Sequence, residues 1–190
     1  MSVKSVLIVG VGGQGTLLAS KLLGSVLVSC GFDVKVSEVH GMSQRGGSVV
    51  TYVRYGEEVA SPIIDLGEAD VILSFEKLEA ARYLPYLKKG GVIVTNTQQI
   101  DPMPVITGAA DYPSNIVSDI EAMGVRVVTC DALEIAKKAG SVKAVNVVLL
   151  GVLARNLDIE REVWLTAVEE NVPPKFRELN LNAFNMAYDG

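Results

Sequence analysis

Six residues near the start restrict the fold of this chain more than any others: Gly10-Val11-Gly12-Gly13-Gln14-Gly15. They follow the apolar, β-branched run Val6-Leu7-Ile8-Val9. They precede a segment from Thr16 in which Leu17, Leu18, Leu22, Leu23, Val26 and Leu27 recur at helical spacing. A buried strand, a glycine turn and a helix N-terminus in succession make an anion-facing corner. Glycine has no Cβ, so the backbone turns tightly and a phosphate can approach N–H groups that the first helical turn leaves unpaired. The spacing satisfies GxGxxG in its proper strand-to-helix context, which predicts a Rossmann-like first unit without naming a ligand.

The rest of the pattern extends that unit into an α/β chain. The first strand is expected over Val3 to Val9, its helix over Thr16 to Cys30 with Gly31 as the stop, and a second strand over Asp33 to Val39. Only eight residues, His40 to Gly47, separate it from a third strand over Ser48 to Tyr55. That is too short for a helical crossover, so strands two and three should be antiparallel and the sheet mixed. Gly56 to Gly67 reads as a turn-rich excursion. A strand over Ala69 to Phe75 follows, then a helix over Glu76 to Leu87 closed by Lys88-Lys89-Gly90. Gly91 to Asn96 and Val125 to Cys130 are further strands. Between them Tyr112-Pro113-Ser114 looks like a turn and N-cap for a helix of about ten residues ending at Gly124. Asp131 should cap a helix to Ala139. The remainder carries helical patterns at Ala144 to Asn156, Ile159 to Asn171 and from Pro174, with Pro174 as first helical residue. The prediction is an α/β, Rossmann-like, mixed but mostly parallel sheet with flanking helices and a C-terminal helical cap.

With 190 residues, 49% of them apolar, the chain suits one domain spanning 1–190. Its net charge of -5 and scattered basic residues argue against nucleic acid as a partner. The most apolar run, Val145 to Ala154, is half of the roughly 20 residues that span a bilayer, so no membrane partner is expected. Met1-Ser2-Val3-Lys4 runs straight into the first strand, which leads to an expected cytoplasmic location. Two cysteines, Cys30 and Cys130, lie far apart without a CxxC, and His40 is the single histidine. This set offers no conventional zinc or iron-sulfur site, and both cysteines should be small core residues.

A second stretch concentrates polar chemistry: Glu38-Val39-His40-Gly41-Met42-Ser43-Gln44-Arg45-Gly46-Gly47, just past the carboxyl end of strand two. Ligands of open α/β sheets bind outside the carboxyl ends of the strands, so this loop should lie near the glycine turn. The candidate ligand- or partner-binding face therefore comprises Gly10, Gly12, Gly13, Gln14 and Gly15 with Glu38, His40, Gly41, Ser43, Gln44, Arg45, Gly46 and Gly47. Arg45 can fork onto a phosphate or carboxylate, or pair with a nearby acid. Glu38 lies 23 residues after Gly15, near the offset of a ribose-binding acid, and equally suits an ordinary strand end. His40 is either a proton donor or a hydrogen-bonded structural residue. Ser43 has His40 three residues away but no third orienting group, so no catalytic residue is nominated and no metal ligand is. Asn146, Asn180, Asn182 and Asn185 are candidate partly buried amides that need partners, internal bonds being the simplest.

Taken together, GVGGQG after strand one, EVHGMSQRGGSV after strand two and the spacing to Tyr52-Val53-Arg54 resemble the gamma-type domain of the 2-oxoacid:ferredoxin oxidoreductases. Within that family the HGMSQRGG wording is similar to the indolepyruvate branch, rather than the pyruvate or 2-oxoglutarate branch. The likeness continues through Ala69-Asp70-Val71, Glu79-Ala80, Arg82-Tyr83-Leu84-Pro85, Asn96-Thr97, Ala144-Val145-Asn146 and Leu181-Asn182-Ala183-Phe184. The resemblance implies a subunit of a complex that oxidatively decarboxylates an arylpyruvate with coenzyme A as co-substrate and passes two electrons to ferredoxin. It implies that thiamine diphosphate and iron-sulfur clusters belong to a large partner subunit, with no cofactor in this chain. The isolated chain would then be inactive. The alternative left open by the residues is a free-standing NAD- or nucleotide-binding Rossmann protein that uses the glycine turn and Glu38.

Overall fold

The computed structural model describes residues 2–40 and 46–190, with His40 described by its backbone alone. Strand β1 (Lys4–Val11), helix α1 (Thr16–Ser29) and strand β2 (Asp33–His40) form the expected opening unit. Strand β3 (Ser48–Gly56) then returns between its two strands. β4 (Ala69–Ser74), α2 (Lys77–Tyr83), β5 (Leu87–Asn96), the short α3 (Met103–Ile106), α4 (Ile116–Ala122) and β6 (Arg126–Cys130) complete the sheet. Its order is β2-β3-β1-β4-β5-β6. β3 pairs antiparallel with both β1 and β2, as the short connection requires, while β1, β4, β5 and β6 run parallel.

β1 shows why the sheet needs cover on both sides. Val6 and Ile8 point into one apolar layer and Leu7 and Val9 into the other, and all four are buried. The first layer holds α1 and the C-terminal helices α5 (Ala132–Ala139), α6 (Val145–Ala154), α7 (Arg161–Asn171) and α8 (Arg177–Asp189). α6 is buried almost all round, because it packs between the sheet and α8, which is why its sequence is apolar without a polar face. Arg161 ties α7 to the end of α8 through Asp189 at 2.9 and 3.0 Å and Asn185 at 2.7 Å. On the other face Ala80 of α2 and Ile116 and Ile120 of α4 close over Ile72 and Ile93. No described helix is long and apolar enough to cross a membrane.

Several local expectations need correction. The helix expected to Leu87 stops at Tyr83, because Pro85 removes the N–H that would continue it; the chain tightens into one 3-10 turn, Leu84–Tyr86, and enters β5. Lys88, Lys89 and Gly90 therefore belong to a strand, not a helix end. Asn115, not Ser114, precedes α4, and no side chain caps that helix. Pro174 opens a 3-10 turn, Pro174–Phe176, ahead of α8. Asp131 does cap α5, accepting from the Glu134 amide at 3.0 Å. Cys130 is buried, and burial pushes its thiol up to about 11. Cys30 is exposed, since it follows the last apolar residue of the α1 stripe.

Candidate functional site

The glycine turn sits where the carboxyl ends of β1, β4 and β5 meet the start of α1. Gly10 is still in β1, and a Cβ there would lie 2.9 Å from Phe75 Cβ and 3.0 Å from Gln14 Oε1. The bare backbone thus lets the end of β4 and the Gln14 side chain close on the turn. Gly15 precedes α1 with φ +84°, and a Cβ would lie 3.0 Å from Asn146 Nδ2. That approach lets Asn146 donate to the Gly15 carbonyl at 3.5 Å and brings the start of α6 against the turn.

Gln14 is the fastener of the corner. Its Oε1 accepts from the Val11 amide at 2.7 Å, and its Nε2 donates to the Phe75 carbonyl at 3.0 Å and to Gln98 Oε1 at 3.2 Å. Asn96, fully buried, donates to the same two acceptors at 3.2 and 3.3 Å and accepts from the Ala132 amide. Gln98 Oε1 thus takes two donors, which turns its own NH2 away from this knot.

A second carboxylate-centred group braces the same strand ends. Glu76 is buried, with Oε1 accepting from the Ile100 amide and the Tyr112 hydroxyl and Oε2 accepting from the Glu79 amide. Burial, then the bond to Glu76, raises the Tyr112 phenol above its usual range. Glu79 accepts from Arg82 Nε at 3.1 Å and from the Ser48 hydroxyl, which anchors the start of β3. None of Glu76, Glu79, Asn96, Gln98 and Lys143 was singled out from the sequence as a site residue. Glu79 and Asn96 stand among the residues that carry the resemblance, and Glu76 and Gln98 had the signal of polar residues just past strands β4 and β5, the end at which ligands of open sheets bind; Lys143 had neither.

The loop of polar residues reaches this corner at its far end. Gly12 donates its amide to the Gly47 carbonyl at 2.9 Å, and Gly46 has φ +77°. Glu38 is turned toward α1 and accepts from Ser20 Oγ at 2.9 Å, so its carboxylate is engaged on the helix flank. His40 pairs with Val49 through its backbone. Gly41, Ser43, Gln44 and Arg45 lie outside the described residues.

A cavity of about 480 Å³ opens beside the turn, lined by Gly13, Gln14, Gly15, Gln98, Lys143 and Asn146, with Leu133, Val142 and Val145 as its apolar part. Thr16, Leu17 and Leu18 lie in the first turn of α1, where amides have no acceptor within the helix. Lys143 is the one ionisable side chain in this described lining, so the wall holds no acid-base pair. An ammonium and side-chain amides beside a helix N-terminus suit holding an anion rather than transforming it. Among the described residues no group of three or more His, Cys, Asp and Glu could hold a metal ion.

Residues 5–190 match the family described as pyruvate ferredoxin/flavodoxin oxidoreductase. The indolepyruvate oxidoreductase subunit IorB of Thermococcus kodakarensis is 44% identical over 189 residues, covering 96% of this chain and 93% of the relative. The gamma subunit of a keto/oxoacid ferredoxin oxidoreductase from Geobacter sulfurreducens PCA superposes with a TM-score of 0.73 at 23% identity, over 98% of this chain and 96% of the other. The 2-oxoglutarate:ferredoxin oxidoreductase of Magnetococcus marinus, solved with 2-oxoglutarate, coenzyme A and succinyl-CoA bound, gives 0.75 at 18% identity. All of this chain matches 31% of that longer one. These relatives favour the oxidoreductase-subunit reading of the sequence, not that of a free-standing nucleotide-binding protein.

Proposed function

The chain belongs to the pyruvate ferredoxin/flavodoxin oxidoreductase family, and from that premise we propose that it is the small subunit of a 2-oxoacid:ferredoxin oxidoreductase acting on an arylpyruvate such as indolepyruvate. The observation that carries this reading is the end-to-end likeness to an indolepyruvate oxidoreductase subunit. The reaction consumes a 2-oxoacid anion and coenzyme A and yields carbon dioxide, an acyl-CoA, one proton and two electrons for ferredoxin. Thiamine diphosphate and the clusters reside in a large partner subunit. Two cysteines, one exposed and one buried, cannot supply the four thiolates that a cluster takes.

The work left to this chain is binding and covering. The cavity at the glycine turn, beside the start of α1, holds a phosphate of coenzyme A through Lys143, and the His40 to Gly47 loop docks against the partner. Docking there would exclude water from the partner's reaction centre, where thiamine diphosphate would supply the decarboxylation chemistry, which gives the subunit a role without a catalytic residue of its own. Co-expression with the large subunit tests the assignment: the two chains should co-purify and oxidise indolepyruvate only with coenzyme A present. A chain that elutes alone, while the large subunit retains full activity, would overturn it.

A further inference from the structure

A second cavity, of about 420 Å³, opens at the opposite ends of the parallel strands, where β1, β4, β5 and β6 begin. From Lys4 to Val11 the intervening β1 extends roughly 23 Å, so this cavity and the glycine turn are separate places. Its rim carries Lys4, Lys88, Lys89 and Arg126 against Asp70 and Asp158, a positive spot on a chain of net charge -5.

The local backbone is built to put those lysines there. Ala69 pairs with Leu87 and Val71 with Val92, so the single residue Asp70 faces the four residues Lys88 to Gly91 of the neighbouring strand. Such an excess in one strand re-aims side chains. Gly90 turns it with φ +82°, and at Gly91 a Cβ would lie 2.9 Å from the Asp70 carbonyl oxygen. Asp70 organises the base of the cavity: Oδ2 accepts from the Ser5 amide at 2.9 Å, and Oδ1 from Lys88 at 3.3 Å and Lys4 at 3.5 Å. Two cations already neutralise it. Lys89 makes no ion pair among the described residues, and Arg126 commits one nitrogen to Asn156 Oδ1 at 3.1 Å. The cavity therefore presents an ammonium and most of a guanidinium fork that form no ion pair among the described residues, with Asp158 the one rim acid beside them that Lys4 and Lys88 do not engage.

We propose that this cavity is a binding site for a phosphate-bearing small molecule of nucleotide size, held by Lys89 and Arg126 over the Asp70-centred bulge of β5. Its volume lies in the small-molecule range, and a guanidinium fork beside an ammonium matches phosphate oxygens. The site is independent of the reading above, since it uses neither the glycine turn nor a partner chain.

Calorimetric titration of the full chain with ADP tests it, because each lost charge-assisted contact weakens binding by about tenfold or more. ADP should bind the parent chain, bind at least about tenfold more weakly to the Lys89→Gln/Arg126→Gln variant, and bind unchanged to Lys138→Gln, a surface lysine paired with Glu134 that lines neither cavity. Lys89→Gln alone, which removes no described hydrogen bond, carries the test if the double variant melts early. No heat at millimolar ADP, or loss of binding in Lys143→Gln, which alters the glycine-turn cavity, with retention in the double variant, would overturn the site. So would displacement of bound ADP by a polyglutamate peptide of higher affinity, which would mark the rim as a seat for an acidic protein.

Discussion

Replacing Gln14 by methionine is the sharpest probe of how the glycine corner is held. The side chain keeps its length and loses its amide, so the change removes hydrogen bonds with little change in volume. The Val11 amide, now accepted by Gln14 Oε1 at 2.7 Å, loses its partner in a part-buried place, a cost of about 1–3 kcal/mol. The Phe75 carbonyl and Gln98 Oε1 lose one donor each but keep Asn96, so each adds less than about 1 kcal/mol. The total is about 3 kcal/mol, equivalent to a fall in Tm of about 6–12 °C for a chain of this size. Gln14→Glu discriminates further. Its carboxylate can accept from Val11 but faces two acceptors, so it should be at least as destabilised at pH 8 and regain stability on acidification toward pH 4. Urea unfolding followed by circular dichroism at both pH values reads this out. A Gln14→Met variant within about 0.5 kcal/mol of the parent would refute the fastener role, because surface changes fall in that range.

Other consequences are open to equally direct checks. Gly10→Ala forces a methyl to within 2.9 Å of Phe75 Cβ at the root of a fully buried ring, and should cost about 1–3 kcal/mol in a urea midpoint measurement. Tyr55 is held up to about 12, first by burial and then by the charge of Asp70. The unfolded chain loses that proton near pH 10, so this stability term is complete below pH 10 and drains away as pH rises toward 12. Tyr55→Phe should therefore shrink the stability drop between pH 8 and pH 11 by about 1 kcal/mol; an unchanged drop would contradict the assignment. Arg45→Ala in the assembled complex should raise a KM, for coenzyme A or the 2-oxoacid, with assembly intact. Unchanged values for both would leave Arg45 without a ligand role.

What could be read from the sequence is what local chemistry decides. Val6 to Val9, the glycines and the leucine stripe of α1 specify β1, the turn and the helix from neighbouring residues alone, and an eight-residue connection dictates the antiparallel β2–β3 pair. Asp131 announces the start of α5 in the same way. What stayed hidden depends on partners far along the chain. Gln14 meets Phe75 and Gln98, Asn96 meets Ala132, and Gly15 meets Asn146 across 131 positions. Nothing local distinguishes a glutamine that fastens strands from one in solvent. Lys88-Lys89-Gly90 misled for a related reason: the triplet has the chemistry of a helix end, and only pairing opposite Asp70 makes it a bulged strand. Lys143 joins the cavity because α6 packs its start against the glycine turn, a tertiary fact invisible in its own neighbourhood.

The central claim is that this chain lends an anion-holding corner to a coenzyme A-dependent oxidoreductase. Steady-state kinetics of the assembled complex carrying Lys143→Gln test it most directly, with coenzyme A and indolepyruvate varied separately. Loss of one charge-assisted contact predicts a KM for coenzyme A raised about tenfold, with the KM for indolepyruvate unchanged. An unchanged KM for coenzyme A, with the variant subunit fully incorporated, would contradict the account.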